Sequence, residues 1–259
     1  MLYKDQIGDE VEIKEQPKRI VSLVPSQTEL LFDLGLDDRV IGITKFCVHP
    51  EEWFRSKNRI GGTKDVDIDA VKSLNPDLII GNKEENTLKD IKALRKIAPV
   101  WISNVNDLER SIKMIESIGE VCNVSPKASE ISKQIIDNFN FLDSDIKGKS
   151  VLYFIWKKPY MVAAKDTFID SILTNQLGLK NVMSDEKRYP NIELTDVKNS
   201  PDYVFLSSEP YPFKEKHKEE ISEIFPNAKV VLVDGEYFSW YGSRLIKAPA
   251  YFKELCEKL

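Results

Sequence analysis

Histidine and cysteine are scarce in this 259-residue chain, which has two of the first and three of the second. Cys47, Cys122 and Cys256 are far apart, odd in number and without a CxxC pair. That excludes a disulfide framework and a structural zinc site. HExxH, Walker A, GxGxxG and GxSxG patterns are all missing, which leaves catalysis with little support. His217 lies in Lys214–Lys218, a charged run that reads as a solvated helix face. There is no basic excess either: 37 Lys and Arg stand against 42 Asp and Glu, a net charge of −5. Nucleic acid and anionic membranes both call for a basic face, so neither is an expected partner. No apolar run is long enough to span a bilayer, and the polar start, Met1–Asp5, lacks the apolar core of a signal peptide. A soluble chain is expected, cytoplasmic unless an export signal precedes it.

What the sequence does have is alternation of short apolar strands and amphipathic helices, which implies parallel sheets covered on their faces. Gln6–Lys14 reads as a short opening hairpin or strand around Gly8-Asp9. Strands are predicted over 19–24, 40–44, 78–80, 100–102, 150–156, 203–206 and 229–233. Between them fall helices over 84–98 (Leu88, Ile91 and Leu94 inward), 107–122, 168–177, 215–225 and 249–258. A helix is also expected from Ser26, with Glu29 completing a capping box and Gly35 ending it. The longest helix is predicted over Ser125–Asp145, with Pro126 at its first position and Ala128, Ile131, Ile135, Phe139 and Leu142 on one face. It has an α/β block on either side. The expected architecture is an N-terminal lobe over 1–104, linking helices over 105–147 that include this spine, and a C-terminal lobe over 148–259.

Two segments echo each other across the spine. Asp69–Ile80 and Thr195–Phe205 each read as a short helix, a Pro-Asp turn and an apolar strand. Eight residues beyond each proline stands a glutamate, Glu84 after Pro76 and Glu209 after Pro201. The bland reading is two solvated acids. The functional one is a matched pair of docking charges, each able to accept a bidentate arginine from one half of a symmetric partner.

The remaining chemistry lies in loops at strand ends, where parallel sheets hold ligands. Tyr237–Arg244 carries four aromatics, a glycine and Arg244, a suitable wall for a large planar ligand. Phe238 is expected to anchor the last helix, and Trp240 with Tyr241 to be the exposed pair. Pro25, Phe46, His49, Trp156 and Tyr189 occupy comparable places. Cys47 and His49 alone do not make a metal site.

Arg19–Leu31 (RIVSLVPSQTELL), Asn75–Ile80 (NPDLII) and the spine together resemble the helical-backbone substrate-binding proteins of ABC importers, the receptors for cobalamin, iron-siderophores and haem. The chain is most similar to the cobalamin-binding branch. The resemblance implies two α/β lobes joined by one rigid helix and a non-catalytic receptor, monomeric and without a resident cofactor or metal. Such a receptor delivers a metal chelate from between its lobes to a permease in the cell envelope. It assigns Pro25, and with it Phe46, His49, Trp156, Tyr189, Trp240, Tyr241 and Arg244, to ligand binding, and Glu84 and Glu209 to permease docking, with Glu85 a competitor for Glu84. His49 is a candidate axial ligand to the metal centre, as neutral imidazole. An enzyme or chaperone acting on a corrinoid or metal chelate in the cytoplasm is the alternative.

Overall fold

A computed structural model describes residues 1–140, 142, 145–197 and 200–259. The chain forms two compact units. The first comprises Met1–Val105, Glu109–Ile136 and Tyr241–Ile246, and the second Asn106–Leu108, Asp137–Trp240 and Lys247–Leu259. The sequence places all of 148–259 in one lobe, yet Tyr241–Ile246 packs with the first unit. A Cβ on Gly242 would lie 3.2 Å from the Ser26 carbonyl oxygen and 3.4 Å from Leu30 Cβ, so this segment lies directly against the helix that carries both.

In the first unit, β1 (Leu2–Lys4) and β2 (Glu10–Glu12) form an antiparallel hairpin. Gly8, at φ 98°, makes the turn in a region open to glycine. A five-stranded sheet follows in the order β5-β4-β3-β6-β7, parallel throughout. Its strands are β3 (Ile20–Ser22), β4 (Val40–Ile43), β5 (Asn58–Arg59), β6 (Leu78–Asn82) and β7 (Val100–Ser103). β3, β6 and β7 are buried along their whole length, which is why they read as continuous apolar runs. Val21, Leu23, Ile79, Val100 and Ile102 form the core with Ile91 and Leu94. The helices are α1 (Pro25–Asp33), α2 (Glu51–Ser56), α3 (Ile68–Ser73), α4 (Leu88–Leu94), α5 (Leu108–Val121) and α6 (Ser125–Asn140).

Three helix predictions need correction. First, no capping box opens α1: Val24 is the N-cap, Pro25 takes the first turn without a cap hydrogen bond, and Glu29 is engaged elsewhere. Second, α4 begins at Leu88, after Thr87 caps it by accepting from the Asp90 amide. Leu88 is 67% exposed and does not face inward. Third, the spine α6 ends at Asn140. Ala128, Ile131, Ile135 and Phe139 are buried as expected. Leu142 lies beyond the helix, half-buried, with its amide donating to the Phe139 carbonyl. Asp143 and Ser144, in the expected last turn, lie outside the described residues.

The second unit is built on a mixed sheet in the order β11-β9-β8-β12-β13, with β10 also paired to β8. The strands are β8 (Ser150–Trp156), β9 (Tyr160–Val162), β10 (Lys180–Asn181), β11 (Asn191–Ile192), β12 (Tyr203–Ser207) and β13 (Lys229–Val233). β8, β12 and β13 run parallel, and β9 and β11 add antiparallel edges. α7 (Phe168–Ser171) continues as a π-helix to Gln176, and α8 (Glu215–Ile224), α9 (Gly235–Ser239) and α10 (Ala248–Lys258) follow. The stretch after β13, read as one loop, is α9 and then a 3₁₀ turn over Ser243–Ile246. Phe238 is fully buried against Phe252 of α10 at 4.9 Å between ring centres, and it anchors that helix as expected. His217 is 5% exposed, not solvated. Its Nδ1 accepts from the Lys214 amide at 2.9 Å and its ring packs on Phe213. Burial, aided by nearby lysines, holds its pKa below the usual value.

Candidate functional site

The two Pro-Asp segments are built alike. In the first unit, Asp77 accepts from the Lys18 and Arg19 amides at 2.8 and 2.9 Å, pinning the start of β3 beside β6. In the second, Asp202 accepts from the Ser150 amide and hydroxyl, both at 2.8 Å, pinning the start of β8 beside β12. The short helix is α3 in one copy and a 3₁₀ turn over Leu194–Asp196 in the other. Lys198 and Asn199 of the second copy lie outside the described residues.

Both strands end in a polar residue that holds the next turn. At the end of β6, Asn82 Oδ1 accepts from the amides of Glu84 (2.8 Å) and Glu85 (3.1 Å). At the end of β12, Ser207 Oγ accepts from the Glu209 amide at 3.3 Å. Glu84 and Glu209 therefore hold equivalent backbone positions, each two residues past a buried strand end and each half-buried. The Oε1 of the competitor Glu85 accepts from the Tyr241 hydroxyl at 2.8 Å. Burial, with Glu85 beside it, pushes the Tyr241 phenol well above its ordinary range.

Glu209 is more tightly framed. Its Oε1 accepts from Ser239 Oγ (2.6 Å) and from Trp240 Nε1 (2.8 Å). Asp234 caps α9 by accepting from the Glu236 amide, and Ser208 Oγ accepts from the Gly235 amide. A Cβ on Gly235 would stand 2.2 Å from Ser207 Oγ and 2.8 Å from Glu209 Cγ, so only glycine lets α9 start this close. Burial pushes the Glu209 carboxyl up, with Glu236 and Asp234 adding to it and the Ser239 and Trp240 donors opposing it.

The expected exposed pair is thus buried. Trp240 is 6% and Tyr241 5% exposed, because each spends its polar atom on an acid of its own unit. Arg244 reaches Glu29 with two parallel bonds, Nε to Oε2 and Nη2 to Oε1, both at 2.8 Å. No sequence pattern announces these three pairings. The separations run from 31 to 215 residues, beyond the range of any helix or strand period.

The other candidates divide by unit. In the first, Phe46 is 52% exposed in the loop after β4, while Pro25 and His49 are half-buried. Cys47 turns inward beneath them, 3.1 Å from both Thr28 Oγ1 and Thr44 Oγ1, and burial pushes its thiol pKa up. Among the described residues no group of three or more His, Cys, Asp or Glu could hold a metal ion. In the second, Trp156 ends β8 at 39% exposure, edge-on to Tyr211 at 5.7 Å, and Tyr189 is half-buried beside Arg188. A pocket of about 510 Å³ lies elsewhere, lined by Glu10–Glu12 of the hairpin, Arg95 and the start of β7.

The profile of the periplasmic binding protein family matches residues 20–228. This chain belongs to that family. It is 29% identical to an uncharacterized ABC transporter substrate-binding lipoprotein, YvrC, of Bacillus subtilis, over 98% of this chain and 84% of the relative. It is 23% identical to a vitamin B12-binding protein of Vibrio parahaemolyticus over 74% of this chain and 72% of that one. The crystal structure of the periplasmic haem-binding protein HutB of Vibrio cholerae shares the fold, with a TM-score of 0.77 over 92% of this chain and 98% of that one at 19% identity. As a member of this family the chain is a transport component, and a permease and a small-molecule ligand are the partner classes that membership implies.

Proposed function

We propose that this chain captures a metal-containing chelate outside the cytoplasmic membrane and hands it to the permease of an ABC importer. A cobalamin-type corrinoid is the first candidate, with a ferric siderophore or haem next. The observation that carries this reading is the family match over 20–228, joined by the named vitamin B12-binding relative. Each unit supports it by presenting a large exposed aromatic at a strand end, Phe46 in the first and Trp156 in the second. Such side chains stack on flat macrocycles at little entropic cost. Pro25, His49 and Tyr189 are further contacts in this proposal. Trp240, Tyr241 and Arg244 act behind the surface, through the acids they hold. Glu84 and Glu209 dock the permease, as equivalent acids, one per unit.

Titration calorimetry with cyanocobalamin, a ferric siderophore and haemin tests the reading. Tight cobalamin binding that weakens about tenfold or more in Phe46→Ala and in Trp156→Ala is the expected result. Binding of an iron chelate alone keeps the receptor and moves the ligand. Silence from all three overturns the proposal. His49→Ala with an unchanged visible spectrum and affinity removes His49 as an axial ligand.

A further inference from the structure

Glu209 is held asymmetrically, and the asymmetry is supplied by one short segment. Ser239 Oγ and Trp240 Nε1 both donate to Oε1, and Oε2 receives neither. The same segment begins at Gly235, where any side chain would strike Ser207 Oγ and Glu209 Cγ. Ser207 in turn holds the Glu209 amide and accepts from the buried Tyr153 hydroxyl at 3.2 Å. α9 is also fixed from behind, because Phe238 is fully buried and the Asp234 amide donates to Tyr251 Oη at 2.8 Å. A carboxylate on a free glutamate samples several rotamers. This one has its backbone, its Cγ and one oxygen set before a partner arrives.

From this we infer that Gly235, Ser239 and Trp240 are positioning residues for permease docking, fixing Oε1 of Glu209 so that Oε2 meets a cationic side chain of the permease without ordering cost. The inference rests on the docking reading above and adds the residues that make it work. Preorganisation of this kind favours affinity by removing the entropy that binding would otherwise lose. A charge-assisted bond from a guanidinium is the interaction that gains most from a fixed acceptor.

The experiment reconstitutes the full chain with its permease–ATPase complex in nanodiscs and measures stimulation of ATP hydrolysis against binding-protein concentration. Trp240→Phe keeps the ring and removes the donor. Ser239→Ala removes the other donor, and Ser239→Thr restores it. The expected result is half-stimulation shifted about tenfold to higher concentration in Trp240→Phe and Ser239→Ala, with Ser239→Thr close to wild type. A pH profile separates positioning from mere folding. Losing a donor to the carboxylate favours its protonated form, so docking by Trp240→Phe fades at a higher pH than docking by wild type. The charged and titratable groups that face Glu209 are Asp234, Glu236 and Tyr153.

If Glu209→Gln abolishes stimulation while Trp240→Phe and Ser239→Ala match wild type in potency and pH midpoint, the positioning role is overturned and docking stands. If Glu209→Gln itself stimulates like wild type, the docking role falls and this inference falls with it. Should Trp240→Phe not fold, the Ser239 pair carries the test alone.

Discussion

In the first unit the residue that ends β6 is Asn82, whose side-chain carbonyl takes two backbone amides, and in the second its counterpart Ser207 takes one. The residue after each glutamate explains the difference. In the first unit it is Glu85, which brings an N–H that needs an acceptor. In the second it is Pro210, which has none. An amide oxygen with two lone pairs suits the first turn. A hydroxyl suits the second, where its remaining acceptor capacity takes the buried Tyr153 hydroxyl. The two turns place a glutamate in the same way with different parts, and the part is chosen by how many buried donors must be satisfied.

The acids themselves are then treated differently. In the first unit Tyr241 holds Glu85, the neighbour of the docking candidate Glu84. In the second, Ser239 and Trp240 hold the docking candidate Glu209 directly. The first unit also depends on a distant segment in a way the second does not, through the Arg244–Glu29 pair, whose side chains are 12% and 18% exposed.

That pair gives the largest expected effect. Arg244→Ala leaves Glu29 mostly buried and without its guanidinium, and urea denaturation is expected to register a loss of about 3 kcal/mol. Arg244→Lys recovers only part, since a point charge cannot reproduce the two parallel bonds. A cost below about 0.5 kcal/mol for Arg244→Ala would mean that Tyr241–Ile246 is held by packing alone.

Next come the two Pro-Asp anchors. Asp77→Ala strips the acceptor from two backbone amides, and Asp202→Ala from the Ser150 amide and hydroxyl and from Lys149 Nζ; each is expected to cost about 2 kcal/mol. A large cost at one and none at the other would break the equivalence of the repeat. Acid sharpens the comparison. The Ser150 amide and hydroxyl, aided by Lys149, hold the Asp202 carboxyl down to about 2. A folded-state value below the unfolded one gives stability that is present above the unfolded pKa of about 4 and is lost as pH falls toward about 2. Thermal scans across that window are expected to show a steeper decline in wild type than in Asp202→Asn.

The smallest effect is at the strand end. Asn82→Ser should leave one of the two glutamate amides without its acceptor and cost about 1 kcal/mol, with amide exchange faster at Glu84 or Glu85. The reverse change, Ser207→Asn, has no spare N–H to satisfy.

The β-strands and most helices were legible because the signals behind them are local. Apolar runs such as Ile79–Ile80 and Val151–Ile155 are buried, and the spine's spacing of three and four holds from Ala128 to Phe139. The Glu84–Glu209 equivalence was legible too, since a Pro-Asp turn fixes the count of residues that follow. The errors came where a local signal competed with a distant partner. Ser26-x-x-Glu29 has the form of a capping box, but Pro25 had already opened the helix and Arg244 had claimed the acid. Trp240 and Tyr241 read as the exposed pair because aromatic composition says nothing about where an indole N–H or a phenol finds its acceptor. The run around His217 looked solvated because its neighbours are charged, although the imidazole itself caps α8 from inside.

The placement of Tyr241–Ile246 has a consequence for how the chain is made. A ribosome delivers residues in order, and a domain composed of early residues can fold while later ones are still being added. Here the first unit lacks the partner for Glu29 until residue 244 has emerged, a loop of 215 residues, and the partner for Glu85 until residue 241. Closing loops of that length slows folding. The first unit therefore waits, incomplete, until a segment far beyond its own sheet has emerged.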